Sequence, residues 1–253
     1  MKITFLGTGT SQGVPVIGCE CEVCRSLDYR DKRLRVSVLV EVGQKSFIID
    51  SGPDFRQQML RERVKRVDAV LFTHEHKDHT AGLDDIRAFN FMQHLDMPLY
   101  ADQRVLNQLK QEFSYIFTNS TYPGVPRVEL HPIQNEPFEV QGIPVTPIHV
   151  LHHKLPVFGF RIGDFTYITD ANYISEEEKE KVKGSKVIVL NALRKEPHIS
   201  HYSLSEALTV LEELAPEQAY LTHISHLLGL HQRVEKELPS FVRLAYDGLS
   251  LTL

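Results

Sequence analysis

The sequence has little cysteine, no apolar run of membrane length and no surplus of positive charge, and each shortage narrows what the chain can be. Its three cysteines all fall in Cys19-Glu20-Cys21-Glu22-Val23-Cys24, whereas a disulfide framework needs an even and dispersed set. The longest apolar runs, near residues 36–42, 47–49 and 186–190, are strand-length, far from the roughly 20 residues of a spanning helix. Met1-Lys2-Ile3-Thr4-Phe5-Leu6 alternates as a strand does and carries no signal-cleavage pattern. With 28 Lys and Arg against 33 Asp and Glu, the net charge of −5 argues against a general nucleic-acid-binding surface. Internal repeats and low-complexity segments are missing too. These exclusions leave a cytoplasmic enzyme domain, whose 253 residues, 42% hydrophobic, can bury a core without cross-links.

What the chain does have is histidine and aspartate at the ends of apolar runs. Thr73-His74-Glu75-His76-Lys77-Asp78-His79-Thr80 directly follows the run at 67–72. Imidazole and carboxylate are the usual ligands of zinc, manganese and iron, and His74 and His76, two apart, point to one side of an extended turn. Asp78 and His79 come where the chain can enter a helix, so four groups can face a pair of ions. Further candidates close other runs: Asp50-Ser51-Gly52 after 47–49, His152-His153 after 145–151, Asp170 after 165–169 and His223 after 219–222. Strands that repeatedly end in His or Asp are how an α/β sheet collects a site at one edge.

Strand and helix patterns interleave without a linker. Strands are expected at 1–6, 36–42 and 46–50, with Gly43-Gln44 as a turn, and at 67–72, 186–191 and 217–222. Four more are expected between about 127 and 169, broken at Pro137, Gly142 and Gly163-Asp164. Helices are expected at 54–63, about 80–94, 102–117, 175–183 and 203–214. Residues 118–126 read as an open loop, 14–33 as irregular, and Asp247-Gly248 as the turn of a terminal hairpin.

In order and context, Asp50-Ser51-Gly52, His74-x-His76-x-Asp78-His79, a later histidine, Asp170 and His223 resemble the metallo-β-lactamase superfamily. The resemblance covers residues 1–253 and implies an α/β fold, a four-layer αββα sandwich forming a single hydrolase domain. Gly7-Thr8-Gly9-Thr10-Ser11-Gln12-Gly13-Val14-Pro15, the cysteine group and Thr222-His223-Ile224-Ser225-His226 are most similar to one branch. That branch is the phosphoribosyl 1,2-cyclic phosphate phosphodiesterases, siblings of the tRNA 3′-end-processing endonucleases.

The resemblance implies that His74, His76 and His152 hold one ion and that Asp78, His79 and His223 hold the other. Asp170 bridges them, because a carboxylate can offer one oxygen to each metal. Asp50 is expected to orient a ligand histidine through a hydrogen bond. His149, His152 and His153 all lie within reach as the third histidine. Spacing to Leu155-Pro156-Val157-Phe158-Gly159-Phe160 favours His152, while counting back from Gly159 favours His153, as in the tRNA-processing siblings. His201 matches the branch's His-x2-Leu position and is expected as general acid or phosphate clamp, so Asp50, Asp78 and His201 form the catalytic set. Cys-x-Cys-x2-Cys needs a fourth ligand for a tetrahedral structural zinc, and His226, three residues beyond His223, is best placed. The resembling branch holds such a zinc.

Two divalent ions, less the charges of Asp78, Asp170 and a shared hydroxide, leave a site of about +1, which favours an anionic substrate. The expectation is hydrolysis of a small phosphodiester, a cyclic ribosyl one by the resemblance, by hydroxide bridging two manganese or zinc ions, or iron. A tRNA-processing endonuclease is the main alternative, against which stand the lack of a Lys/Arg/Gly-rich arm and of any basic residue in 118–126. Thioester or lactam hydrolysis shares the same ligands. A non-catalytic metal-binding protein conflicts with a complete ligand set. No membrane partner is expected, and the resemblance makes a homodimer plausible.

Overall fold

In the computed structural model, which describes residues 1–118 and 122–253, alternation along the strands sorts side chains into three apolar layers. On β1 (Lys2–Gly7), β2 (Ser37–Val42) and β3 (Lys45–Ile49), the side chains of Ile3, Phe5, Val38, Val40, Phe47 and Ile49 point one way and meet the second sheet. Leu6, Leu39 and Ile48 point the other way, onto helices. This is the period of two that any strand imposes. β4 (Ala69–Leu71), β5 (Met97–Asp102), β6 (Val128–Ile133) and β15 (Ser250–Thr252) complete a seven-stranded sheet in the order β15-β1-β2-β3-β4-β5-β6.

The second sheet contains β8 (Ile143–His152), β9 (Leu155–Ile162), β10 (Phe165–Tyr167), β11 (Tyr173–Ile174), β12 (Val187–Asn191), β13 (Gln218–Thr222) and β14 (Val242–Leu244), with β7 (Phe138–Val140) paired to β8. Val187 and Val189 of β12 face the first sheet, while Ile188 and Leu190 face the helices outside. Helices α2 (Phe55–Arg61), α4 (Arg87–Gln93) and α5 (Gln103–Glu112) cover the first sheet, and α6 (Glu176–Val182), α7 (Leu204–Leu214) and α8 (His231–Glu235) cover the second. The expected four layers, helix, sheet, sheet, helix, are present.

Strand direction collects the site. β3 and β4 are parallel, as are β10, β12 and β13. β8 is antiparallel to β9 and β9 to β10, so β8 and β10 run the same way. The ends of β3, β4, β8, β10 and β13 therefore deliver Asp50, the 73–80 segment, His152, Asp170 and His223 to one edge of the sandwich.

Five expectations need correction. Between 127 and 169 five strands, β6 to β10, stand where four were expected, because the chain turns back at His153-Lys154 to pair β9 with β8. The 80–94 helix is three pieces: α3 (Lys77–Thr80), a 3-10 turn at Leu83–Ile86, and α4. Gly82 sits between them against Gly52, and a Cβ on Gly82 would overlap the Gly52 carbonyl oxygen. The expected 102–117 helix ends at Glu112 and continues as a 3-10 turn at Ser114–Ile116. The terminal hairpin does not form: β14 runs parallel to β13 in one sheet and β15 pairs with β1 in the other. The Asp247 carboxylate is taken by Thr8 and the Leu34 amide, so the Asp-Gly turn crosses between sheets. The irregular 14–33 segment contains α1 (Glu22–Arg25) and a 3-10 turn at Tyr29–Asp31. Of the expected loop at 118–126, residues 119–121 lie outside the described residues.

Candidate metal centres

Two donor groups meet at Asp170. His74, His76 and His152 each place a ligand atom within 4.8 Å of the others, and so do Asp78, His79, Asp170 and His223; His152, Asp170 and His201 form a third set that overlaps both. Asp170 Oδ1 lies 3.4 Å from His79 Nε2 and 3.2 Å from His223 Nε2, while Oδ2 lies 3.9 Å from His74 Nε2. One carboxylate thus faces both groups. Asp78 Oδ2 closes the second group, 3.3 Å from His79 Nε2 and 3.7 Å from His223 Nε2.

The backbone is bent to achieve this. Asp50, Asp170 and His223 have φ of 65°, 57° and 54°, the left-handed region that side chains other than glycine enter at a cost. Each follows a strand end and turns its side chain across the sandwich edge. Gly52 fits under this edge because a Cβ there would overlap the Asp78 carbonyl oxygen.

Partners behind the donors fix which nitrogen faces inward. Asp50 is fully buried and accepts from Thr73 N (2.8 Å) and Thr73 Oγ1 (2.9 Å), and its Oδ2 is 2.7 Å from His79 Nδ1. His79 Nδ1–H therefore donates to Asp50 and Nε2 is left for a cation. Thr73 Oγ1 also lies 3.0 Å from His74 Nδ1. His152 Nδ1 donates to the Ser200 carbonyl at 2.8 Å, again freeing Nε2. His153 is exposed, belongs to no donor group among the described residues, and bonds only through its backbone amide to Asn172. His149 lines a separate cavity with Arg104 and Phe158.

A cation fits here. His79 Nε2 and both ring nitrogens of His223 are buried without a hydrogen-bond partner, although carboxylate oxygens lie within 3.2–3.7 Å. Such groups are costly unless something polar sits between them. Burial raises the Asp170 carboxyl, but His223 and His79 outweigh it and hold the group well below the usual range. Asp78 is likewise held down, with burial again offset by His79 and His223. Burial lowers His74 and His152, leaving neutral imidazoles, the form that binds metal.

His201 stands over the same edge, 8% exposed, its ring stacked on His223 at 4.8 Å and its Nδ1 4.0 Å from Asp170 Oδ2. Nδ1 is buried without a hydrogen-bond partner, and burial pushes the imidazole down to about 3. His198 is half-buried beside it, ring centroids 5.3 Å apart, with Ser200 bonded to its Nδ1. His231 is buried on α8, where its Nδ1 is 3.2 Å from Arg33 Nη2.

A separate donor group lies away from this edge. Sγ of Cys19, Cys21 and Cys24 are 3.3, 3.4 and 3.6 Å from His226 Nδ1. Sulfur and nitrogen ligands of a tetrahedral zinc are about 3.6 Å apart, so this set matches a closed site. The Cys24 amide and His226 pull Cys21 down to about 6 against burial, while burial pushes Cys24 up to about 11.

Residues 45–224 match the model of the beta-lactamase superfamily domain. The chain belongs to that superfamily. It is 40% identical, at a TM-score of 0.93, to a crystal structure described as a new diphosphatase from the PhnP family, covering 100% of this chain and 97% of that one. It is also 40% identical over 253 residues to an octanoyltransferase of Porphyromonas gingivalis, covering 98% of this chain and 51% of the relative. The coenzyme PQQ synthesis protein B of Xanthomonas oryzae is 30% identical over 172 residues, 62% of this chain and 54% of the relative. The chain thus spans about half the length of the curated relatives it matches, and their names differ in chemistry.

Proposed function

We propose that the chain is a binuclear metal-dependent phosphodiesterase acting on a small phosphodiester, in one catalytic domain spanning residues 1–253. The observation that carries this reading is Asp170, one carboxylate facing both donor groups. His74, His76 and His152 would hold one ion, Asp78, His79 and His223 the other, and Asp170 both. Such ions, when bound, would lower the pKa of bound water towards about 7 and neutralise charge on phosphoryl oxygens.

The chain's own groups do the rest. Asp50 and the Ser200 carbonyl hold His79 and His152 with Nε2 inward, so the cluster meets its ions without rearranging. With Asp78 and Asp170 ionised, two divalent ions leave the site positive, which draws an anionic phosphorus centre rather than a neutral carbonyl. His201, stacked on His223 and 4.0 Å from Asp170 Oδ2, stands where it can carry a proton to the leaving oxygen. A phosphoanhydride is the second reading, favoured by the diphosphatase described at 40% identity, since attack at phosphorus needs the same groups.

Cys19, Cys21, Cys24 and His226 would hold a structural zinc that fastens residues 14–33 beside the centre. Such a zinc needs reduced thiols, which supports a cytoplasmic location. Among the described residues no helix is long and apolar enough to cross a membrane. The small-substrate reading leaves nucleic acid out, and a homodimer remains part of the proposal.

The test is one metal-loaded sample assayed on bis-p-nitrophenyl phosphate, a cyclic ribose phosphodiester, a nucleoside diphosphate, a thioester, a lactam and a precursor tRNA. Turnover of the small phosphodiesters is expected. Turnover confined to the thioester, the lactam or the tRNA would contradict the reading.

A further inference from the structure

Arg104, the second residue of α5, lies outside the donor groups, yet its guanidinium reaches both the turn that carries His74 and His76 and the strand β9 that pairs with β8 at His152. Nη1 donates to Glu75 Oε1 at 2.7 Å, in the middle of the His74-Glu75-His76 turn. Nη2 donates to the Pro156 carbonyl at 2.6 Å. Pro156 opposes Leu151 across the β8–β9 pair, and the adjacent register pair is His152 with Leu155. One side chain therefore ties the turn bearing His74 and His76 to β9, whose Leu155 is the register partner of His152 at the end of β8. Among the described residues it makes no hydrogen bond or ion pair with Asp78, His79 or His223.

Arg104 is itself held in place. The Asp102 carboxylate caps α5 by accepting from the Arg104 amide at 2.7 Å and stands 4.0 Å from its Nε. Glu75 depends on it in turn. Its Oε2 is buried without a hydrogen-bond partner, and Arg104 is its sole ion-pair partner among the described residues. A guanidinium suits this place because its planar fork can serve a carboxylate and a carbonyl at once, whereas an ammonium is a single point donor.

We propose that Arg104 is a positioning residue for one metal only: it holds His74, His76 and His152 at ligand spacing and leaves the Asp78–His79–His223 group independent. The inference rests on the two-ion reading above. Loss of the clasp separates two elements that share the first ion, and removal of groups supporting a metal site typically weakens affinity by about 10–100-fold. The second ion, anchored by Asp50 behind His79, keeps its affinity.

The experiment titrates manganese into chelator-treated protein and follows binding by calorimetry and by the magnetic coupling of a manganese pair. Wild type should bind two ions with a coupled signal. Arg104→Ala should bind one ion as wild type does and the other about 10–100-fold more weakly, with an isolated-ion signal at low occupancy. Glu75→Gln, nearly isosteric and unable to pair, should give the same pattern, and the double variant should be no worse than Arg104→Ala. An unaltered titration, or equal weakening of both ions, overturns the proposal. A wild type that binds a single ion instead removes the two-ion reading beneath it. A general loss of folding would lower both affinities, so selective weakening of one ion separates positioning from instability.

Discussion

Asp170 faces His79 and His223 with one oxygen and His74 with the other, so its removal distinguishes two ions from one. We expect Asp170→Ala to lose at least one ion and nearly all hydrolysis while remaining folded, because the adjoining β10 is held by ladder bonds and apolar side chains. Metal analysis with circular dichroism checks this, and full occupancy with near-normal turnover would contradict it. In the proposed function His201 supplies a proton rather than a ligand. His201→Ala should slow a substrate with a poor alkoxide leaving group by roughly 10²–10⁴-fold. With p-nitrophenolate as leaving group the loss should be much smaller. Equal losses on both substrates would make His201 a phosphate clamp. Several of these residues were legible from spacing alone, since His74, His76, Asp78 and His79 lie in one turn. His152 against His153 was not, because neighbouring positions differ only in which way the chain bends after β8. Thr73, Ser200 and Arg104 carry no signature, being ordinary polar residues that act through another side chain.

Among the elements, the cysteine segment has the least regular structure and depends most on a ligand. α1 is four residues long and packs a small apolar group of Val14, Val23 and Cys24. Structural zinc contributes folding energy directly. Cys21→Ser should therefore release about one zinc per chain and lower the melting temperature, checked by metal analysis and calorimetry. An unchanged metal content and melting temperature would leave three free thiols. α8 supplies a pH-dependent element. Burial, with Arg33 adding to it, pulls His231 down to about 4 from the 6.5 of a free histidine. Between those values the unfolded chain holds a proton that the folded chain does not, so stability rises with pH across this window and falls as pH drops through it. His231→Gln should flatten the melting temperature between pH 4 and 6.5, and an unchanged slope would place the acid sensitivity elsewhere. Helices and strands with clear periodicity, such as α7 and β12, were readable in the sequence. The 80–94 break and the failed hairpin were not. Both are decided by contacts far along the chain, Gly82 against Gly52 and Asp247 against Thr8 and Leu34.

For the molecule as a whole, two sheets with helices outside bring the ends of β3, β4, β8, β10 and β13 to one edge, and the chemistry follows from what those ends carry. Composition bounded the fold class, and the order of the donor motifs gave the architecture. The identity of the substrate depends on loop surfaces for which no motif in the chain speaks. The central claim is two ions sharing Asp170. Anomalous diffraction from metal-loaded crystals tests it most directly. The account predicts two peaks flanking the Asp170 carboxylate, one among His74, His76 and His152 and one among Asp78, His79 and His223, with a separate zinc peak among the cysteines. A single peak at that carboxylate, or none, would contradict it.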